Sequence, residues 1–522
     1  MSSNRLADVF SALWGLIIMT LLAATGMTAG FHPAINDVLW MTDIASGIDY
    51  TQIQSLHNGF FPLGFPVLLD QLSSLDPLAV GGWLSLMSAA AVLALTWWLA
   101  RTLAGAWPAL VALVALSLYP LFFEYAASPG PDMMATALTT AGLCLAVQAT
   151  RLSSRAWLLF GLAGLAVGIG ALFRYHAIVM LVGPLVLAAT LVPRRWSNAV
   201  AVITGGFAGV FAQMLVNLLG GFGPLETEAP FNLYKNAVGL DWYLTATLDR
   251  ESFASFTGII AAAPIDVLMS VAGAAAEFTS ILAVVALAAM MSARRSLVWV
   301  AMLATVTIYV AVVAFGYSVR GQLPVLPIAA VALASVAMMV YRWLRSTSDA
   351  SSRSLAAVSS GILIGVLLFL PWLRADLAYI DTRAQVEQQR AAAQLALNQA
   401  LPSLGTKQVF TNDFDFYLSD LDNVNPRKLG GWGNISMNGR VTQQDLDVTS
   451  LPAFLCDAIK HDVRVVLWIP GVATGVAPEL ESVLAGSSSA PGFIGVGPTG
   501  PYRITVLDVQ EPSCENPWVS RP

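Results

Sequence analysis

Charge is scarce in this sequence. Only 11% of its 522 residues are Asp, Glu, Lys or Arg, against roughly 25% in soluble domains. With 57% hydrophobic residues it cannot clothe a water-exposed surface, which excludes a soluble globular protein and predicts a polytopic membrane protein. The net charge is −6, with no basic groove and no interleaving of aromatic and basic residues, so nucleic acid is not an expected partner. There is no Gly-rich phosphate loop and no ligand spacing as specific as HExxH. Of the 3 cysteines, Cys144 lies inside an apolar run and reads as a small apolar filler. Cys456 and Cys514 fall in a polar tail, where an oxidising compartment would permit a disulfide.

What the chain has in quantity is apolar length. Runs long enough to cross ~30 Å of hydrocarbon as helices lie near 10–30, 79–101, 106–125, 132–150, 156–173, 176–193, 197–219, 266–292, 296–316, 322–344 and 355–373. That is about eleven spans. Threaded alternately with the N-terminus inside, they put Arg5, Arg101, Arg151, Arg155, Arg194, Arg195, Arg294, Arg295, Arg342, Arg345 and Arg353 in cytoplasmic connections. Only Arg174, Lys235, Arg250 and Arg320 remain outside. Arginine bias in short loops sets orientation, so the N-terminus is expected in the cytoplasm and the tail outside it. The first span is too long for a removable signal and lacks a small-residue cleavage site. The arginine- and alanine-rich, lysine-poor composition reads as bacterial, which makes the membrane the bacterial cytoplasmic one.

The expected organisation is a transmembrane domain over 1–375 with long external loops at 31–78 and 220–262, then an extracytoplasmic domain over 376–522. Long loops are uncommon without a function. In the first loop, Ile35 to Ala45 has helical spacing and reads as a short interfacial helix. Asp37 shares a face with Trp40, Met41 and Ile44, while Asp43 is roughly 240° away around the helix, so the two acids cannot serve one site. Capping of this helix competes with catalysis as the reason for Asn36 and Asp37. In HNGFFPLGFP, Pro62 and Pro66 with Gly59 and Gly64 forbid a long helix, which predicts a bent, membrane-apposed segment.

Further polar residues share that external level. Ser-Pro-Gly-Pro-Asp delivers Asp132 to the first turn of the fourth span, where capping is again the bland explanation. Arg174 and His176 occupy a hairpin between two spans, and Arg320 opens the tenth. Arginines on the side that insertion disfavours require a partner such as a lipid phosphate or a carboxylate, or else a snorkelling position. Asp37, His57, Asp132, Arg174, His176 and Arg320 come from separate segments yet meet at one depth, and this convergence favours function.

The order of these features resembles the GT-C glycosyltransferases: an acid on an interfacial helix after the first span, Pro-Leu-Gly-Phe-Pro before the second, Ser-Pro-Gly-Pro-Asp before the fourth, Leu-Phe-Arg-Tyr near the fifth and Arg-Gly-Gln-Leu-Pro-Val-Leu-Pro at a late span. It is most similar to the branch with the protein mannosyltransferases and the lipid A aminoarabinose transferase. The resemblance implies a GT-C-like membrane fold and an inverting transferase. Its donor would be a polyprenyl-phosphate-linked sugar, its acceptor a lipid, glycan or protein of the cell envelope. It implies Asp37 and Asp132 as catalytic acids and Arg174 and Arg320 as the donor-phosphate site. Departures are Asn-Asp where two adjacent acids are commoner, and Arg174 where relatives often have lysine. They leave metal dependence open. A divalent metal is the one cofactor to consider, with Asp37, Asp132 and His57 as candidate ligands, joined by His32 and His176.

Within 220–262, Trp242 and Tyr243 stand beside Phe231, Tyr234 and acidic residues, which suits either contact with a sugar acceptor or anchoring at the interface. With His57 and His176 they complete the substrate-binding candidates. In the tail, KQVFTND, VRVVLWIP, FIGVGP and YRITVLDV read as strands and LPAFLCDAIKH as an amphipathic helix, predicting a small α/β domain. Asp413-Phe414-Asp415 reads as a solvated turn, and Gly164–Gly168 and Gly205–Gly209 as close helix packing inside the bundle. Two rival classes remain. A transporter or flippase needs ionisable groups or broken helices at mid-depth, whereas here the span interiors are nearly free of charge. A noncatalytic scaffold gives no reason for the acids and arginines to converge.

Overall fold

The computed structural model describes residues 3–29, 31, 37–46, 48–51, 62–152, 155–190, 195–220, 224, 278–291, 296–313, 319–347, 369–386, 388–389, 392–393, 395–396, 408–411, 425–428, 436–437, 440–441, 450–460, 463–470, 476–489, 493–499 and 501–507. They fall into two compact units, one holding the helices up to Ile380 and one the chain from Asp381.

The first unit is helical. Its elements are α1 (Ser3–Ala29), α2 (Asp37–Ser46), α3 (Gly64–Gln71), α4 (Pro77–Leu103), α5 (Ala106–Ser117), α6 (Pro120–Ala126), α7 (Asp132–Ala149), α8 (Ala156–Ala171), a 3-10 helix (Tyr175–Leu181), α9 (Val182–Thr190), α10 (Arg195–Leu219), α11 (Thr279–Met291), α12 (Ser296–Val313), a second 3-10 helix (Val319–Val325) and α13 (Leu326–Thr347). Residues 369–386 are also helical. Among the described residues, Ser3–Met27, Pro77–Leu103, Arg195–Leu219 and Arg320–Trp343 are long and apolar enough to cross a membrane. Shorter apolar helices at Ala156–Ala171, Tyr175–Thr190, Thr279–Met291 and Leu297–Ala311 occupy other predicted runs. The last of those runs, 355–373, lies outside the described residues apart from its final turn.

One predicted span is not straight. The run 106–125 forms α5 and α6, bent by 70°. Pro120 sits at the first turn of α6 and holds Tyr119 extended at φ −73°, ψ 119°, as proline does to the residue before it. The bend swings α6 across one end of the bundle. At the start of α4 the Asp76 carboxylate accepts from the Ala79 N–H at 2.9 Å, with Pro77 pre-set for the first turn.

Glycine sets the closest crossing. A Cβ on Gly164 would strike the Val202 carbonyl, one on Gly168 the Gly206 carbonyl and one on Gly205 the Gly161 carbonyl, so α8 and α10 meet backbone to backbone. These spacings serve packing within the bundle. Gly64 is fixed by a similar approach: its N–H donates to the Leu172 carbonyl at 2.8 Å, and a Cβ there would lie 2.5 Å from that oxygen. The adjacent Leu63 N–H donates to Gln213 Oε1 at 2.8 Å. The segment before α4 is thereby tied to the ends of α8 and α10. Cys144 is a buried free thiol.

The second unit contains β1 (Gln408–Thr411), β2 (Asn425–Lys428), a short β3–β4 pair (Ser436–Met437, Arg440–Val441), α14 (Leu451–Lys460), β5 (Val463–Trp468), α15 (Pro478–Leu484), β6 (Phe493–Thr499) and β7 (Tyr502–Leu507). Five strands form a sheet in the order β2-β1-β5-β7-β6. β1 is parallel to β2 and β5, and β7 antiparallel to β5 and β6. Central β5 is almost wholly buried, as its unbroken apolar run requires. Phe410, Phe454, Trp468, Leu480 and Leu484 form the core. Cys456 on α14 is disulfide-bonded; its expected partner Cys514 lies outside the described residues.

Candidate active site

Asp132 begins α7 because Pro129-Gly130-Pro131 ends the chain's run across the bundle. Ser85 Oγ donates to the Gly130 carbonyl at 3.1 Å and fixes that turn against α4. The Asp132 side chain does not simply cap its helix. It accepts from Arg174 Nη2 at 2.8 Å, across 42 residues of chain. Arg174 follows the end of α8, where its own N–H donates to the Gly170 carbonyl at 3.1 Å. Its backbone is extended at φ −146°, ψ 115°, which aims the side chain away from the helix axis toward α7. Both partners are deeply buried, with side chains 1% and 6% exposed. A guanidinium and a carboxylate taken from water survive only when they neutralise one another.

The second 3-10 helix brings Arg320 to the same place. Arg320, Arg174 and His176 all lie within electrostatic reach of Asp132. Two clamps hold this turn. Tyr309 Oη donates to the Gly321 carbonyl at 2.9 Å, and Tyr119 Oη donates to Gln322 Oε1 at 3.0 Å. His176 is buried with its ring edge-on to Tyr309, centroids 5.8 Å apart. Two guanidinium groups converge on the Asp132 carboxylate, an arrangement that can receive a phosphate.

The first-loop helix reaches this cluster. Val38 Cγ2 lies 3.6 Å from where a Cβ on Gly130 would stand, and Asp132 Oδ2 3.8 Å from the same point. Val38 and the Asp132 carboxylate therefore flank one glycine, and Asp37, the first residue of α2, is next to Val38 in the chain. The Asp37 side chain, His32, His57, Trp242 and Tyr243 lie outside the described residues and side chains. The structure thus gathers Asp132, Arg174, His176 and Arg320, together with the backbone of Asp37.

Three tyrosines and a glutamine escaped the sequence reading. Tyr119, Tyr309 and Gln322 position the Arg320 turn, and Tyr125 on α6 feels the charges of Asp132, Arg320, Glu124 and Arg174. Aromatic residues in apolar runs carry no signal separating core from site. Among the described residues no group of three His, Cys, Asp or Glu side chains is placed to hold a metal ion. Asp132 is engaged by Arg174 with Arg320 in electrostatic reach, which suits an anion; of the other candidate metal ligands, the Asp37 side chain and His57 lie outside the described residues and side chains.

Residues 76–219 match the family model described as dolichyl-phosphate-mannose-protein mannosyltransferase. ArnT from Cupriavidus metallidurans, solved bound to undecaprenyl phosphate, aligns over 97% of this chain and 98% of its own at 14% identity and a TM-score of 0.54. The archaeal oligosaccharyltransferase AglB from Archaeoglobus fulgidus, solved with an inhibitory peptide and a dolichol-phosphate, aligns over 94% of this chain and 74% of its own at 13% identity and a TM-score of 0.52. No curated protein matches in sequence. The chain has the GT-C fold of integral-membrane glycosyltransferases. The family match is confined to residues 76–219, and the likeness to ArnT is one of fold.

Proposed function

We propose that this protein transfers a sugar from a polyprenyl-phosphate-linked donor to a cell-envelope acceptor at the external face of the bacterial cytoplasmic membrane. The observation that carries the reading is the buried Asp132–Arg174 pair, 2.8 Å between donor and acceptor atoms, with Arg320 beside it at the end of an apolar bundle. Lipid phosphates bound in the ArnT and AglB structures agree with that polarity. In this reading the N-terminus is cytoplasmic, following the arginine distribution, and the chain after 375 is extracytoplasmic.

Asp37 acts as general base. It takes the proton from the acceptor hydroxyl as that oxygen bonds the anomeric carbon on the face opposite the phosphate, which inverts the centre. The bond from the anomeric carbon to the phosphate oxygen breaks, and its electron pair stays on the phosphate. Arg174 and Arg320 stabilise the charge that grows there. Asp132 holds Arg174 in place and keeps its charge local. His176 backs the arginines, while His57, Trp242 and Tyr243 contribute on the acceptor side. Asp37→Ala is expected to abolish transfer of label from the host's metabolically labelled donor lipid, with membrane insertion unchanged. Full turnover by that variant would remove Asp37 as the base.

A further inference from the structure

Buried tyrosine hydroxyls ordinarily find a partner, and two of the three around this site do so. Tyr119 binds Gln322 and Tyr309 binds the Gly321 carbonyl. Tyr125 is different. Its residue is 9% exposed, yet among the described residues no group hydrogen-bonds its hydroxyl. Its helix packs against both α7, which carries Asp132, and the 3-10 helix that carries Arg320. The 70° bend at Pro120 turns α6 across the bundle's end, and Ser85 holds the turn after it at 3.1 Å. The hydroxyl is thus held within electrostatic reach of Asp132, Arg320, Glu124 and Arg174, and no protein group accepts its proton among the described residues.

Such a proton can be given to an anionic oxygen that the two arginines draw in. A sugar-linked lipid phosphate is a diester with two terminal oxygens, one for each arginine. When the anomeric carbon–oxygen bond breaks, the electron pair stays on the bridging oxygen, which becomes a third terminal oxygen. Building on the transfer proposed above, we propose that Tyr125 donates its hydroxyl proton as a hydrogen bond to that newly formed third oxygen of the departing lipid phosphate. It then binds the leaving group more tightly than the donor, which is how a residue accelerates a step without tightening the ground state.

The test uses the purified full chain and two probes, undecaprenyl phosphate and its methyl ester, at pH 8, where a phosphate monoester is a dianion. Tyr125→Phe keeps the ring, and its unfolding temperature is measured alongside. The expected result is about tenfold weaker binding of undecaprenyl phosphate, the effect of one hydrogen bond to a charged group, with the methyl ester bound as by the wild type. Equal binding of both probes by variant and wild type overturns the role of Tyr125 and leaves the transfer reading standing, and so does an equal loss for both probes. A wild type that binds neither probe overturns the transfer reading and this inference with it.

Discussion

At the scale of single residues, the most consequential contact is the ion pair between Asp132 and Arg174, buried at 2.8 Å. Removing one member of such a pair strands a charge in a low-dielectric interior, which costs about 3–5 kcal/mol, whereas replacing both by apolar groups is often neutral. Arg174→Met is therefore expected to lower the unfolding temperature in detergent strongly. Adding Asp132→Leu restores most of that loss, and neither variant transfers sugar. The double variant separates the two uses of the pair, because its fold returns and its phosphate site does not. A single variant as stable as the wild type would contradict the burial. These residues were legible in the sequence as charges out of place among apolar runs. Their pairing was not, since a capping role accounts for Asp132 equally well and 42 residues of chain hide the contact.

At the scale of elements, helical residues 369–380 pack beside α6 through Trp372 against Tyr119 (5.2 Å) and Tyr379 against Phe123 (6.4 Å). Tyr379 Oη also lies 3.3 Å from Ser128 Oγ. Between the two aromatic pairs, at spacings that share one helix face, sits Asp376, 2% exposed and with neither carboxylate oxygen hydrogen-bonded. It lies just beyond the last predicted apolar run. Burial pushes its carboxyl up to about 7. The docked helix binds a proton that the undocked one gives up in the ordinary carboxylate range, so docking is strongest below that range, weakens as pH rises toward 7 and is constant above. Hydrogen exchange of 369–380, corrected for its intrinsic pH dependence, is expected to show more protection at pH 5 than at pH 8. Asp376→Asn should lose the difference, and an unchanged profile would refute it.

Element existence was easier to read than element shape. Apolar length announced the helices, but the 70° break at Pro120 sits inside a continuous apolar run. In the second unit, four strands declared themselves by β-branched and aromatic residues. β2, Asn-Pro-Arg-Lys, did not, and it survives as a strand because it lies at the sheet's edge, where proline and charge are tolerated.

At the scale of the whole molecule, the two ends of the helical unit are built differently. Arg101, near the end of the 27-residue α4, is about 35 Å along the helix from Pro77 at 1.5 Å per residue. It makes a two-point contact with Asp8 at 2.9 and 3.2 Å that is about one-third exposed, and exposed pairs contribute little. The Asp132 end buries the Asp132–Arg174 pair and holds the Arg320 turn with two tyrosines, as a protein does where a ligand must be met by fixed dipoles. Photo-crosslinking probes that asymmetry. Undecaprenyl phosphate with a photoreactive group beside the phosphate is bound to the full chain, and the labelled peptides are mapped. The account predicts labelling around 119–136, 170–180 and 319–325 that excess undecaprenyl phosphate removes and undecaprenol does not. Labelling confined to other segments, or removed equally by undecaprenol, would contradict it.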